Sequence, residues 1–260
     1  MPGDIVVKIE NLSFTYSSGE RPALSNINLE ITRGEYLGIM GLNGAGKTTL
    51  GLSINGIVPQ STMGIYEGQV TIEGLDTSTT PVREMARTVG IVFDNPEFQM
   101  SQVSAAEEVA LGLENLGVPN EEMPPRVSAA LTTVGLAGFE ERSPMGLSGG
   151  QQQRVFIARA LAQQADLYLM DEPFAGVDMA TETAIFQLLQ DMARAGKTVL
   201  VVHHDIHSAM NFFEWVIMLN LHLVASGPKD QVMTEELLRK TYGGKLNLLT
   251  QVTDLIRKQD

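Results

Sequence analysis

The sequence contains no cysteine among its 260 residues. Disulfides, thiolate metal sites and cysteine nucleophiles are therefore excluded. Basic residues are also scarce, since 18 lysines and arginines stand against 31 aspartates and glutamates and give a net charge of −13. A protein that wraps nucleic acid needs a basic surface for its phosphate contacts, so we expect no nucleic-acid partner.

Long apolar runs are absent as well. A membrane-spanning helix needs roughly 18 or more uninterrupted apolar residues. The most apolar segment, 212–225, is broken by Glu214, Asn220 and His222. The first residues, Met-Pro-Gly-Asp, lack a basic region followed by an apolar run, so no signal peptide is expected. We expect a cytoplasmic protein that reaches a membrane only through a partner.

The apolar residues that are present follow an alternating strand and helix pattern. Short apolar runs at Tyr36–Met40, Leu167–Met170 and Thr198–Val202 predict buried strands. Residues 95–165 are predicted to be mostly helical, with Ala106, Val109, Ala110, Leu113 and Leu116 at helical spacing. This order predicts an α/β fold with a mainly parallel sheet, whose ligands bind at the carboxyl ends of strands.

A glycine-rich loop follows the first of these strands. Gly41–Thr49 fits the pattern G-x-x-x-x-G-K-[ST], in which backbone N–H groups form an anion nest at a helix N-terminus. Lys47 is expected to reach the β- and γ-phosphates of a nucleotide, and the Thr48 hydroxyl to bind Mg²⁺. An ordinary glycine-rich turn is the alternative, but the strand, the pattern and the following helix favour phosphate binding.

Two carboxylates end the strand Leu167–Met170. Asp171 is best placed to hold Mg²⁺ through water, and Glu172 to polarise an attacking water as general base. Taken alone, an Asp-Glu pair after a strand is more often a helix cap than a catalytic pair. Because a phosphate loop lies upstream, the catalytic interpretation is favoured here.

A second glycine-rich segment, Leu147–Gln153, precedes another helical stretch. Ser148 and the two glycines after it predict a second anion site at a helix start, although a flexible linker is the alternative. Together with Gly41–Thr49 and Leu167–Glu172, this segment resembles the signature of the ATP-binding cassette family. In that family two cassettes pair head to tail, and the signature of one closes over the γ-phosphate held by the other.

The resemblance implies a fold and a set of partners. It implies a P-loop nucleotide triphosphatase with a mainly parallel sheet, an N-terminal antiparallel β subdomain and an inserted helical subdomain. The nucleotide-binding core would comprise 1–93 and 166–228, the helical subdomain 94–165 and a C-terminal helical tail 229–260. The partners would be a second cassette subunit, identical or paralogous, and integral membrane transporter subunits. ATP and Mg²⁺ would be the ligands.

The resemblance also assigns individual residues. Tyr16 matches the aromatic residue that stacks on adenine, although it could equally be a tyrosine on a strand face. Asp178 matches an acidic residue that signals across the dimer, and His204 a histidine that contacts the γ-phosphate. The nucleotide contacts in the phosphate loop would be Gly41, Asn43, Gly44, Ala45, Gly46, Lys47, Thr48 and Thr49. Those in the signature would be Ser148, Gly149, Gly150 and Gln151.

One position departs from the family pattern. The family has a glutamine at the start of the helical insert, where it contacts Mg²⁺ and meets the membrane subunit. Asp94 holds the aligned position here, and Gln99 lies out of register. An aspartate can still accept from a metal-bound water, but it is shorter and cannot donate a hydrogen bond. We hypothesise that Asp94 takes this catalytic and metal-binding role.

Two branches of the family are represented in different parts of the chain. Phe93–Gln102, Ala106–Pro119 and Leu147–Val155 resemble the ATPases of energy-coupling-factor transporters, which import vitamins, cobalt or nickel. Five later segments resemble the ATPases of manganese and zinc importers: Ala165–Asp178, Val199–Asp205, Trp215–Asn220, Ala225–Pro228 and Thr241–Gly244. A chimaera joined between Arg154 and Ala165 and a natural intermediate subfamily are both open.

The resemblance thus predicts the ATP-hydrolysing subunit of an importer, peripheral on the inner face of the cell membrane, with the energy-coupling-factor kind favoured for its membrane partners. Cassette ATPases of DNA repair or chromosome structure carry coiled-coil or zinc-binding insertions, and the sequence has neither heptads nor cysteines. Ribosome-acting relatives usually hold two cassettes, and 260 residues fit only one. A protein that binds ATP as a switch without hydrolysis is the alternative of another class.

Overall fold

A computed structural model describes residues 4–94, 99–174 and 177–243. The chain divides into two compact units, of which the first comprises Met1–Val82 with Leu200–Asp260 and the second Arg83–Val199. The division into a core (1–93 and 166–228) and a helical subdomain (94–165) stays a prediction. Residues 244–260 of the expected C-terminal tail lie outside the described residues.

Strands and helices alternate along most of the described chain. The strands are β1 (Ile5–Tyr16), β2 (Leu24–Thr32), β3 (Tyr36–Met40), β4 (Gly64–Ile72), β5 (Leu75–Asp76), β6 (Val89–Val92), β7 (Leu167–Asp171), β8 (Thr198–Val202), β9 (Trp215–Asn220) and β10 (His222–Pro228). The helices are α1 (Lys47–Ile54), α2 (Ile57–Gln60), α3 (Val82–Thr88), α4 (Ala105–Asn115), α5 (Met123–Thr133), α6 (Gly149–Ala162), α7 (Met179–Arg194), α8 (Ile206–Phe212), α9 (Lys229–Val232) and α10 (Glu235–Tyr242). None of the described helices is long and apolar enough to cross a membrane.

The first unit contains an antiparallel sheet in the order β2-β1-β4-β5. Strand β1 runs as one long strand through a bulge. Its register shifts between Ile9 and Leu12, where Asn11 adopts a positive φ of 52°. An asparagine tolerates this left-handed conformation better than a β-branched residue does. The expected antiparallel β subdomain is confirmed.

A second group of strands in this unit is mainly parallel. Strand β3 pairs in parallel with β9, and β10 pairs antiparallel with β9 as a hairpin. All five residues of β3 and all five of β8 are buried, as their apolar runs predict. The interrupted apolar segment 212–225 therefore contains strand β9, whose residues Val216–Leu219 are buried.

The second unit combines two parallel strands with a group of helices. Strand β6 pairs in parallel with β7, so that Val92 lies opposite Met170. Helices α4, α5 and α6 pack against one another. They confirm that the described part of 95–165 is mostly helical. The mainly parallel α/β fold is confirmed as well.

Candidate nucleotide-binding site

In the first unit, the loop between β3 and α1 has the backbone geometry of an anion nest. Gly46 precedes α1 with a φ of 94°, and among the described residues no side chain caps this helix start. A Cβ atom at Gly46 would lie 2.4 Å from the Ala23 carbonyl oxygen, so only glycine fits. At Gly44, with a φ of 82°, a Cβ atom would meet no described atom within 4 Å, so the loop is open on that side. The helix dipole adds partial positive charge at the same point.

Lys47 is buried at the first position of α1. Its Nζ atom donates to the carbonyl oxygens of Gly41 at 2.9 Å and Leu42 at 3.1 Å. These hydrogen bonds hold the ammonium group against the phosphate loop that precedes α1. Thr48, the next residue, is exposed.

Tyr16 reaches the same helix from the end of β1. Its hydroxyl lies 2.9 Å from the Thr49 hydroxyl, and its ring packs edge-on against Phe14 with centroids 4.9 Å apart. The side chain is half-buried. Tyr16 and the phosphate loop are therefore brought together across 33 residues of sequence.

The turn between β9 and β10 supports the phosphate loop from behind. The Leu221 N–H donates to the Ala45 carbonyl oxygen at 2.9 Å. A Cβ atom at Gly41 would lie 2.3 Å from the Leu219 carbonyl oxygen. Leu221 adopts a positive φ of 62°, which is unusual for a bulky residue. Sequence reasoning missed this support, because only tertiary contact relates the hairpin to the loop.

His204 lies at the same edge of the first unit as the phosphate loop. The His203 N–H donates to the Ile39 carbonyl oxygen at 3.0 Å, which sets the end of β8 beside the end of β3. His203 is buried, whereas His204, the next residue, is exposed. Of the two histidines, His204 is therefore the more exposed to solvent, and its role stays a prediction.

In the second unit, the two carboxylates differ in environment. Asp171 is the last residue of β7 and is 7% exposed, while Glu172 is half-buried. Glu172 has a φ of 49°, a conformation that non-glycine residues adopt at some energetic cost and often at functional sites. Because β6 runs parallel to β7, Asp94 follows its strand at the edge where Asp171 ends. Asp94 is exposed, and its backbone carbonyl oxygen accepts a hydrogen bond from the side-chain amide of Gln99.

The segment Leu147–Gln153 forms the start of α6 through a capping box. The Ser148 side chain accepts from the Gln151 N–H at 3.4 Å, and the Gln151 side chain accepts from the Ser148 N–H at 3.0 Å. The Ser148 hydroxyl accepts in this box, so it retains a proton to donate. Ser148 and Gly149 are exposed. A rigid helix start thus presents a hydroxyl and a glycine backbone to solvent, as an anion site requires.

Asp178 caps α7 in the same unit. Its side chain accepts from the Thr181 N–H at 3.0 Å and the Thr181 hydroxyl at 2.8 Å. These hydrogen bonds hold the pKa of the Asp178 carboxyl below its usual range. Asp178 therefore has a local structural role, whether or not it also signals across a dimer.

The site residues fall into two groups, each built within one unit. The first unit brings together Tyr16, the phosphate loop and His204. The second holds Asp94, Asp171, Glu172, Ser148 and Asp178. A helix start without a side-chain cap and with a buried lysine fits a polyphosphate, and a threonine hydroxyl and aspartates are oxygen donors of the kind Mg²⁺ prefers.

Comparison with known proteins gives a consistent result. The family model described as "ABC transporter" matches residues 24–175. The manganese transport system ATP-binding protein MntB of Bacillus subtilis (strain 168) is 42% identical over 245 residues, which cover 94% of each chain. The energy-coupling factor transporter ATP-binding protein EcfA of Methanothermobacter thermautotrophicus (strain ATCC 29096 / DSM 1053 / JCM 10044 / NBRC 100330 / Delta H) is 38% identical over 90% of this chain and 75% of its own.

A solved structure extends the likeness to three dimensions. The dimeric ATP-binding cassette MJ0796, in a post-hydrolysis state bound to ADP and Pi, superposes with a TM-score of 0.74 and 36% identity. The match covers 85% of this chain and 98% of that one. The chain thus has the fold of a P-loop ATPase and belongs to the ATP-binding cassette transporter family.

Proposed function

We propose that the chain is the ATP-hydrolysing subunit of a membrane importer and works as a pair of cassettes. One observation carries this proposal: the chain has two helix starts suited to phosphate, at Gly46 and Ser148. One nucleotide needs only one such start per chain. The second is explained if it completes the site of a partner, as head-to-tail pairing in the family implies.

In the proposed site, the backbone N–H groups of Gly41–Thr49 bind the phosphates and Lys47 neutralises charge on them. Thr48 and Asp171 would hold Mg²⁺, which would supply neutralisation of phosphate charge. Glu172 accepts a proton from the attacking water, and His204 donates to the γ-phosphate. The Ser148 hydroxyl and the glycines of the partner cassette bind the same phosphate from the other side.

Tyr16 allows a test of nucleotide binding that separates base from phosphate. If its ring stacks on adenine, Tyr16→Ala weakens ATP binding by about 5- to 150-fold, from a stacking free energy of about 1–3 kcal/mol. Tyr16→Phe keeps the ring and loses only the bond to Thr49, so we expect a smaller effect. Calorimetric titration with ATP and with tripolyphosphate measures both. An equal loss for the two ligands in Tyr16→Ala would contradict stacking on the base.

Asp94 allows a test of coupling to the transporter. We propose that it orients a metal-bound water and contacts the membrane subunits. Asp94→Ala should then reduce ATP hydrolysis by the assembled transporter about 10- to 100-fold, the range found when outer-shell partners of metals are removed. Asp191→Ala, which removes an exposed carboxylate paired with Arg194, is the matched control. Unchanged hydrolysis in Asp94→Ala would reject this role.

The transported substrate has two candidate classes. The match to the MntB chain over 94% of both sequences favours a divalent metal ion such as manganese or zinc. The helical insert, Ala106–Pro119 in particular, favours an energy-coupling-factor transporter of a vitamin, cobalt or nickel. Copurification of the full chain with the membrane subunits of each class decides between them.

A chain that releases no phosphate from Mg-ATP would instead support the non-hydrolysing switch.

The resemblance changes from one branch of the family to the other between Arg154 and Ala165. This change raises the question of whether the chain is a chimaera or a natural intermediate. The alignments with both named relatives run across this interval, since each covers at least 90% of the chain. Two homologous parents would give a chimaera the same coverage, so a natural intermediate and a chimaera both stay open. Separate comparison of residues 1–154 and 165–260 distinguishes them: two different source families, each with near-identity to one half, would support the chimaera.

A further inference from the structure

Glu108 is a buried carboxylate that the proposed reaction does not use. Its side chain, on α4, is 0% exposed. A buried carboxylate is costly unless it is paired and hydrogen-bonded. Glu108 meets both conditions, and its partners come from two different segments of the second unit.

One carboxylate oxygen of Glu108 binds the loop that leads into α4. Its Oε2 atom accepts from the Ser101 N–H at 3.0 Å and from the Gln102 N–H at 3.2 Å. This loop continues from Asp94 and Gln99, which are joined by a hydrogen bond of 3.2 Å. Glu108 thus fixes the base of the segment in which contact with membrane subunits is proposed.

The other oxygen binds α6, the helix that Ser148 caps. Its Oε1 atom accepts from Arg159 Nη1 at 2.9 Å, and the Arg159 guanidinium carbon lies 4.1 Å from the centre of the Phe156 ring. Burial lowers the pKa of Arg159, and the adjacent Glu108 carboxylate acts against that effect. Arg159 and Phe156 both belong to α6. The ion pair with Arg159 therefore links the Glu108 carboxylate to this helix.

We propose that Glu108 is a positioning residue that makes the loop at 101–102 and the signature helix α6 move together. A membrane subunit that rearranges this loop would then displace Ser148 relative to the partner's nucleotide. In the other direction, closure of the two cassettes would move the loop against the membrane subunit. This inference rests on the proposed function, because it needs both a partner cassette and a membrane subunit. The link itself lies within one chain and can be measured alone.

Amide hydrogen exchange on the full-length chain tests the link directly. In Glu108→Gln, a neutral amide replaces a charge-assisted acceptor, so we expect the Ser101 and Gln102 amides to exchange about tenfold faster or more. Glu122→Gln, which breaks an exposed pair with Arg126 in the same unit, is the control and should leave them unchanged. Exchange within about twofold of the parent in Glu108→Gln overturns the proposal.

A double variant separates positioning from stability. Glu108→Gln leaves Arg159 buried without its carboxylate, whereas adding Arg159→Met removes that charge and keeps an apolar contact with Phe156. Replacement of both partners is often neutral for stability. We expect the double variant to recover the thermal stability of the parent but to keep fast exchange at 101–102.

The assembled transporter supplies the functional measurement. Both Glu108 variants should keep the basal ATP hydrolysis of the isolated chain within about twofold and lose about tenfold of its stimulation by the membrane subunits. Full stimulation in the double variant, despite fast exchange, overturns the coupling role. If the parent chain shows no stimulation by any membrane subunit, the proposed function fails, and the exchange measurement still decides whether Glu108 holds the loop to α6.

Discussion

Glu172→Gln is expected to lower the rate of ATP hydrolysis at least about 100-fold while the chain still binds ATP. General-base catalysis contributes about 10²- to 10⁴-fold to a rate, and glutamine cannot accept the proton at neutral pH. The substitution preserves size and can still hydrogen-bond a water. The closed pair of cassettes should therefore form with Mg-ATP and persist, because the step that loosens it is blocked.

Two measurements check this expectation. Steady-state phosphate release gives the rate, and size-exclusion chromatography with Mg-ATP gives the amount of dimer. Glu114→Gln, which changes an exposed glutamate at the end of α4, is the matched control and should behave as the parent. Hydrolysis by Glu172→Gln at the parent rate would show that another group is the base.

Loss of either phosphate-binding element should lower hydrolysis strongly, Lys47→Ala through nucleotide binding and Ser148→Arg through the rate. Lys47→Ala removes the buried ammonium group, and a hydrogen bond to a charged group contributes about 1.5–3 kcal/mol, so ATP binding should weaken about 10- to 150-fold. Ser148→Arg fills the serine-glycine segment of the partner's site. Removal of one such donor from a reacting charge lowers a rate about 10²- to 10³-fold.

The two variants should differ in nucleotide affinity. Ser148 lies in the second unit and Lys47 in the first, so Ser148→Arg should bind ATP as the parent does at its own phosphate loop. Lys8→Ala, on the exposed pair with Glu10, controls for the loss of a lysine charge. Equal loss of ATP affinity in both variants would indicate misfolding of Ser148→Arg rather than a defect in the partner's site.

The sequence was sufficient where chemistry and local structure coincide. The phosphate loop, the carboxylates after β7 and the helix start at Ser148 each lie within a few consecutive residues, so their spacing predicts the local backbone, and their roles stay predictions. The resemblance then assigned Tyr16 and His204, which the structure sets beside the phosphate loop within the first unit.

What the sequence could not supply depends on contacts between distant residues. Glu108 and Arg159 are 51 residues apart, and neither belongs to a motif that predicts a pair. Leu221 supports Ala45 only because β9 runs beside β3. Nothing in the spacing of 212–225 identifies its partners, since hairpin register and sheet neighbours are set by tertiary packing.

The central claim is that each hydrolytic site contains the phosphate loop of one chain and the serine-glycine segment of another. It is tested most directly by mixing Lys47→Ala with Ser148→Arg and measuring phosphate release from Mg-ATP. Each variant alone has no complete site, but a mixed pair has one, formed by Lys47 of one chain and Ser148 of the other. Half the pairs in an equal mixture are mixed and each has one of two sites, so we predict recovery to about a quarter of the parent rate. Hydrolysis by either variant alone at the parent rate, or a mixture no more active than its components, would contradict the claim.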